Sequence, residues 1–193
     1  MKRFTALMLA GVLLALCLLC GCGGSKSWTG THHAEIVVEG YGSFTIEINA
    51  DIAPITASNF LNLAKKGFYD GTTFYRVING FAIYGGDPNG DGTGTSGTTI
   101  DGEFTANGVA NSLTNSRGAV GMARGTHYNS ASCQFYVLQS DATYLDGDFA
   151  VFGYVISGIS IVDAICEGTP VSGSDGYVAA ANQPKITEIN VLD

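Results

Sequence analysis

Arg76 is the residue whose side chain most invites a chemical role. It sits in Phe74-Tyr75-Arg76-Val77-Ile78, a run of β-type residues that ends at a turn, Asn79-Gly80. Strand side chains alternate, so Arg76 is expected on the face that carries Phe74 and Ile78. A charge on an apolar face is costly unless it meets a partner or borders a groove. The plain alternative is a half-exposed arginine on a solvent-facing strand. A guanidinium stays protonated and presents its N–H donors in a rigid fork, so it suits electrostatic stabilisation rather than proton transfer.

Other chemistries are poorly supplied. His32-His33 has no further His or Cys nearby at ligand spacing. Asp87-Pro88-Asn89-Gly90-Asp91-Gly92 matches the first half of a calcium loop, but its twelfth position is Thr98 and no helix pair flanks it. Gly92, Gly94 and Gly97 have dinucleotide-fingerprint spacing without a strand before or a helix after. Cys133 and Cys166 lack a matching base, since His127 is the only histidine after residue 33. No metal or cofactor is expected. With 9 Lys and Arg against 17 Asp and Glu the net charge is −8, which disfavours nucleic acid.

The stretch Phe74 to Asp87, Phe-Tyr-Arg-Val-Ile-Asn-Gly-Phe-Ala-Ile-Tyr-Gly-Gly-Asp, resembles the signature of the cyclophilins, a family of peptidyl-prolyl cis/trans isomerases. Gly121-Met122-Ala123-Arg124 through Ser130-Ala131-Ser132-Cys133-Gln134-Phe135-Tyr136-Val137 is similar to a second family block, and Tyr144-Leu145-Asp146-Gly147 through Val151-Phe152-Gly153 to a third. The resemblance runs from about Ala34 to Asp193. It implies a mainly β fold, a closed antiparallel eight-stranded barrel capped by two helices.

The implied reaction is rotation about an X-Pro bond against a barrier of ~18–20 kcal/mol. No bond breaks, so neither nucleophile nor metal is required. The site needs an apolar pocket for the proline ring and a donor that favours the twisted amide over the planar one. By resemblance Arg76 is that donor. Phe81, Ala82, Phe135, Tyr136 and Leu145 map onto the proline pocket. Gln134, Ala123 and Arg124 map onto groove residues that hold the peptide backbone. Tyr144 stands at the position that governs binding of cyclosporin-class inhibitors in the family. Three residues depart from the pattern. Tyr84 replaces a Gln that helps hold the arginine, Ala82 replaces a larger apolar residue, and Phe149 replaces a residue that is often His. They keep open a second reading, a proline-peptide binding module with little catalysis. A third is a surface lipoprotein with a vestigial groove, against which Arg76, Phe81, Gln134 and Phe135 together argue.

The elements that must position these residues are legible in outline. Glu35–Glu39 and Phe44–Asn49 read as a hairpin about Gly40-Tyr41-Gly42. Pro54 suits a helix first turn, and Ala57, Phe60, Leu61 and Ala64 form one apolar helix face ending at Gly67. Glu103-Phe104 is expected as a short pairing element. Strands are expected over Ala119–Ala123, Gln134–Leu138 and Phe149–Val155, a second helix over Ile159–Ile165, and a closing strand over Lys185–Val191 paired with Glu35–Glu39.

Residues 1–21 read as a targeting segment. Lys2 and Arg3 precede an apolar run, Ala6 to Leu19, too short for a confident membrane span. Leu19-Cys20-Gly21-Cys22 resembles a bacterial lipobox, which implies acylation of Cys22 with chains such as palmitate. The alternative is an ordinary cleaved signal peptide. Residues 22–33 read as a flexible tether and 34–193 as the isomerase domain. These readings place the protein outside the cytoplasm, lipid-anchored to a bacterial membrane, acting on X-Pro segments of exported proteins. A monomer is the default. Cys133 and Cys166 are expected as free thiols, with pairing the alternative.

Overall fold

The computed structural model describes residues 26–193. The leader, Cys22 and the first part of the tether lie outside the described residues.

Two strands, Thr31–Val38 (β1) and Gly42–Asn49 (β2), form the opening hairpin, with Ile36 opposite Phe44 and Ala34 opposite Ile46. Alternate residues of both strands are buried. Regular pairing starts four residues before the expected Glu35. The reason is Trp28. Its ring is buried, its indole N–H donates to Asn62 at 3.1 Å, and the ammonium groups of Lys26 and Lys65 lie 3.5 and 4.7 Å from its ring. Residues 28–33, assigned to the tether from sequence, are therefore packed on the domain.

The first helix, Pro54–Lys65 (α1), buries the expected Ala57, Phe60, Leu61 and Ala64 together with Thr56. Its N-terminus has no local cap. Glu103 supplies one from 47 residues away, accepting from the Thr56 N–H at 2.7 Å and the Ile55 N–H at 3.0 Å. A carboxylate here satisfies two free N–H groups and meets the positive end of the helix dipole. Glu103 is thus a buried helix cap, not the strand-pairing residue expected from sequence.

The remaining strands are Thr73–Ile78 (β3), Ala82–Asp87 (β4), Ala119–Met122 (β5), Phe135–Leu138 (β6), Val151–Ser157 (β7) and Ile186–Val191 (β8), with helix Ile159–Gly168 (α2) between the last two. They form one antiparallel sheet in the order β3-β4-β6-β5-β7-β2-β1-β8. β8 pairs with β1 as expected. The sheet is a curled half-barrel rather than the closed barrel expected from sequence. Its end strands meet through one bridge, Thr73 to Lys185, and a few neighbouring backbone hydrogen bonds, such as Phe74 N–H to the Pro184 carbonyl at 2.8 Å. No continuous ladder joins them. The two helices pack on the sheet, α1 against β8 and β2, α2 against β2, β3 and β4.

The strands bury two separate clusters, one on each face. Phe74, Val77, Ile83, Phe135 and Val137 join the main core with Phe60 and Phe152. Ala82, Tyr136, Leu138 and Val151 form a smaller cluster beneath the groove, with Phe81, Tyr84, Leu145 and Phe149 packed against it. The period-2 alternation of β4 and β6 sorts these residues.

Candidate active site

β3 carries a bulge. Phe74 is opposite Gly85 and Arg76 is opposite Tyr84, so Tyr75 is the extra residue. The bulge breaks the alternation. Phe74 stays in the core while Tyr75 and Arg76 both border the groove. Arg76 therefore does not share a face with Phe74, contrary to the expectation from simple alternation.

Three groups hold the Arg76 guanidinium. Its Nε donates to the Asp175 carbonyl at 2.7 Å. Its Cζ lies 4.9 Å from the Tyr84 ring centroid and 5.8 Å from that of Tyr177. The segment that carries Asp175 and Tyr177 pairs with β3, through the Val77 N–H to the Gly176 carbonyl (2.7 Å) and the Val178 N–H to the Tyr75 carbonyl (2.9 Å). Burial raises the Tyr84 phenol's pKa, an effect the Arg76 charge partly offsets, so the ring stays neutral.

Two adjoining cavities flank Arg76. The smaller, about 180 Å³, is bounded by Phe81, Tyr136, Leu145 and Phe149, with Arg76, Tyr84, Ala123 and Arg124 at its edge. The larger, about 350 Å³, shares those four edge residues and is otherwise mostly polar, lined by Gln134 and by Thr and Ser hydroxyls. Arg76 thus stands between an apolar cavity and a polar one.

The floor of the smaller cavity is fixed from below. The Tyr136 hydroxyl donates to Asn115 Oδ1 at 2.6 Å, and Asn115 Nδ2 donates to Asp146 Oδ1 at 2.9 Å, tying the floor to the turn that carries Leu145. A Cβ on Gly121 would overlap the Tyr136 ring, so only glycine leaves that ring its place. Gln134 is held by its own network. Its Nε2 donates to the Gly94 and Gly92 carbonyls at 2.9 and 3.1 Å, and its Oε1 accepts from the Tyr75 hydroxyl at 2.6 Å. That network fixes the Gly-rich loop as one wall of the larger cavity. Asp87 organises the same loop, its carboxylate accepting backbone N–H bonds from Asn89, Asp91 and Gly92.

Most of the residues expected at the site converge on these cavities, and three do not line them. Phe135 points into the main core beside Phe60 and Tyr69, because it is one residue from Tyr136 on a strand. Ala82 is fully buried under the groove. Tyr144 is 72 % exposed and sits on the rim, stacked on Phe81 at 6.3 Å. Sequence reasoning missed Tyr75, Tyr177 and the Asp175 carbonyl. The first was hidden by the bulge; the other two lie in a loop without periodicity. Cys133 and Cys166 are free and buried.

The comparisons with known proteins agree with this geometry. Residues 33–191 match the family described as cyclophilin type peptidyl-prolyl cis-trans isomerase/CLD. The chain is 38 % identical over 147 residues to peptidyl-prolyl cis-trans isomerase CYP18-1 of Arabidopsis thaliana, covering 76 % of this chain and 89 % of that one. It is 41 % identical over 137 residues to CYP65 of the same plant, a match spanning 70 % of this chain but 22 % of that longer protein. Among solved structures, a cyclophilin type peptidyl-prolyl cis-trans isomerase of Cryptosporidium parvum, crystallised in the presence of the dipeptide Ala-Pro, superposes with a TM-score of 0.73 at 28 % identity, covering 83 % of this chain and 99 % of that one. With the family match extending over nearly all the described residues and the groove built around Arg76, this chain belongs to the cyclophilin-type peptidyl-prolyl cis-trans isomerases.

Proposed function

We propose that this domain catalyses cis/trans rotation about X-Pro bonds with Arg76 as the catalytic residue. The observation that carries the assignment is its place at the shared edge of an apolar cavity and a polar one. A prolyl ring enters between Phe81, Tyr136, Leu145 and Phe149, and the preceding residues run past Arg76 into the polar cavity. In the planar amide the nitrogen lone pair is delocalised and accepts poorly. As the bond twists, the lone pair localises on nitrogen and accepts from a guanidinium N–H. A donor that pairs better with the twisted amide than with the planar one lowers the barrier, tenfold in rate per ~1.36 kcal/mol. Because Asp175 and Tyr84 already hold the guanidinium, little reorganisation is left for the moment of rotation. Loss of accelerated exchange in an Arg76→Ala protein, with peptide still bound, tests this role.

The reading extends to location. A lipobox-like Leu19-Cys20-Gly21-Cys22 supports acylation at Cys22 and a lipid-anchored protein outside the cytoplasm, where the clients are X-Pro segments of exported polypeptides. Two or three acyl chains, each contributing ~0.8 kcal/mol per buried CH₂, hold such a domain at a membrane. Membrane fractionation of the full chain and its Cys22→Ser variant tests the anchor: the variant leaves the membrane fraction if Cys22 carries the lipid.

A further inference from the structure

We propose that Arg124 selects substrates bearing an acidic side chain on the residues that precede the proline. The proposal rests on the reading that the prolyl ring occupies the apolar cavity. Arg124 borders both cavities, so it faces the path of the preceding residues.

Its guanidinium is held without a carboxylate. Nε donates to the Asp148 carbonyl at 3.0 Å and Nη1 to the Gly125 carbonyl at 2.9 Å. Its Cζ lies 4.6 Å from the Phe149 ring centroid, 5.1 Å from that of Phe104 and 5.2 Å from that of Tyr128. Carbonyls and ring faces orient the group but leave its charge unneutralised. Arg117 shows the contrast, its two terminal nitrogens paired with the two Asp163 oxygens at 2.9 and 2.7 Å. Among the described residues neither Arg124 nor Arg76 forms an ion pair.

The groove therefore presents two unpaired guanidiniums in a protein of net charge −8. Such a local reversal of sign attracts anionic groups and repels cationic ones. The aromatic rings around Arg124 shield it from water on those sides, which strengthens its pairing with a carboxylate. Glu or Asp side chains fit the polar cavity beside it, where the Thr95 hydroxyl accepts from the Gly97 N–H and keeps its own proton to donate.

The test is exchange NMR on Ala-Xaa-Ala-Pro and Ala-Ala-Xaa-Pro peptides, with Xaa Glu, Gln or Lys, at low and high salt. The intact domain is expected to accelerate one Glu peptide about threefold to fivefold more than its Gln isostere, with the Lys peptide slowest. High salt is expected to shrink the ratio. The ratio should fall to about one in Arg124→Gln and survive in part in Arg124→Lys. Because it is taken within one enzyme, a general loss of activity cancels. A ratio of one in the unaltered protein, or a preference unchanged in Arg124→Gln, overturns the proposal. Acceleration of the Gln peptide with no preference overturns this proposal alone. Acceleration of no peptide overturns the isomerase reading, and the Glu-to-Gln ratio is then taken from Kd values by chemical-shift titration. There a ratio above one that Arg124→Gln abolishes upholds the selection, and a ratio of one, or one that Arg124→Gln leaves unchanged, overturns it.

Discussion

Arg76 lies over the face of Tyr84, with Cζ 4.9 Å from the ring centroid, where relatives of this chain are expected to use a glutamine amide. The phenol ring holds the guanidinium by its π-face, and the Asp175 carbonyl holds the Nε side. The substitution therefore changes how the arginine is held without releasing it.

This predicts a graded response at position 84. Tyr84→Phe keeps the ring and is expected to retain activity within about threefold. Tyr84→Ala removes the ring and should lower kcat/KM by about threefold to thirtyfold, the range of a partly desolvated cation–π contact of ~0.5–2 kcal/mol. Exchange NMR on both variants checks the order. Equal loss in the two would show that the hydroxyl, not the ring, does the holding.

Glu103 should matter to stability rather than to chemistry. Glu103→Ala leaves the Ile55 and Thr56 N–H groups without their acceptor at the start of α1. The expected cost is about 2 kcal/mol or more, with Glu103→Gln costing less because one acceptor oxygen remains. Urea denaturation of the two variants measures it.

Gly121→Ala should disturb the floor of the apolar cavity. The added methyl meets the Tyr136 ring and forces it off its bond to Asn115. Overpacking of this kind costs about 1–3 kcal/mol. A raised KM for proline peptides together with lowered stability is expected, and unchanged values for both would contradict the packing described here.

Stability should fall in alkali. Burial pushes the Cys133 thiol up to about 11 and that of Cys166 up to about 12, from an ordinary value of 9.0. Both pKa values are raised on folding, so the unfolded chain loses these protons first. The contribution is complete below pH 9 and is lost as pH rises toward 11 and 12, at up to about 1.4 kcal/mol per pH unit for each thiol. The buried phenols of Tyr69 and Tyr136, also raised by burial, steepen the loss above pH 10. Denaturation midpoints from pH 8 to 10 should decline, and a Cys133→Ala, Cys166→Ala protein should show a flatter profile over that range.

What the sequence disclosed, and what it hid, follows from range. The α1 face, the Asn79-Gly80 turn and the alternation of β2 are set by near neighbours, and all were legible. So was the set converging on Arg76, through its motifs. The bulge at Tyr75 was not, because it depends on how β3 registers with β4. Phe135 was placed in the pocket through its motif, although its strand parity with Tyr136 sends it to the core. Glu103 capping α1 and Asp175 holding Arg76 join residues 47 and 99 positions apart, and no local pattern announces such contacts.

The central claim is that a fixed guanidinium at position 76 catalyses the rotation. Its most direct test is cis/trans exchange of an Ala-Pro peptide, measured by NMR with the domain and its Arg76→Ala variant. Acceleration that falls roughly 10²–10³-fold in the variant, the scale for losing a preorganised donor, is the predicted result. Peptide binding without acceleration by the unaltered domain would contradict it and leave a proline-recognition module on the same fold.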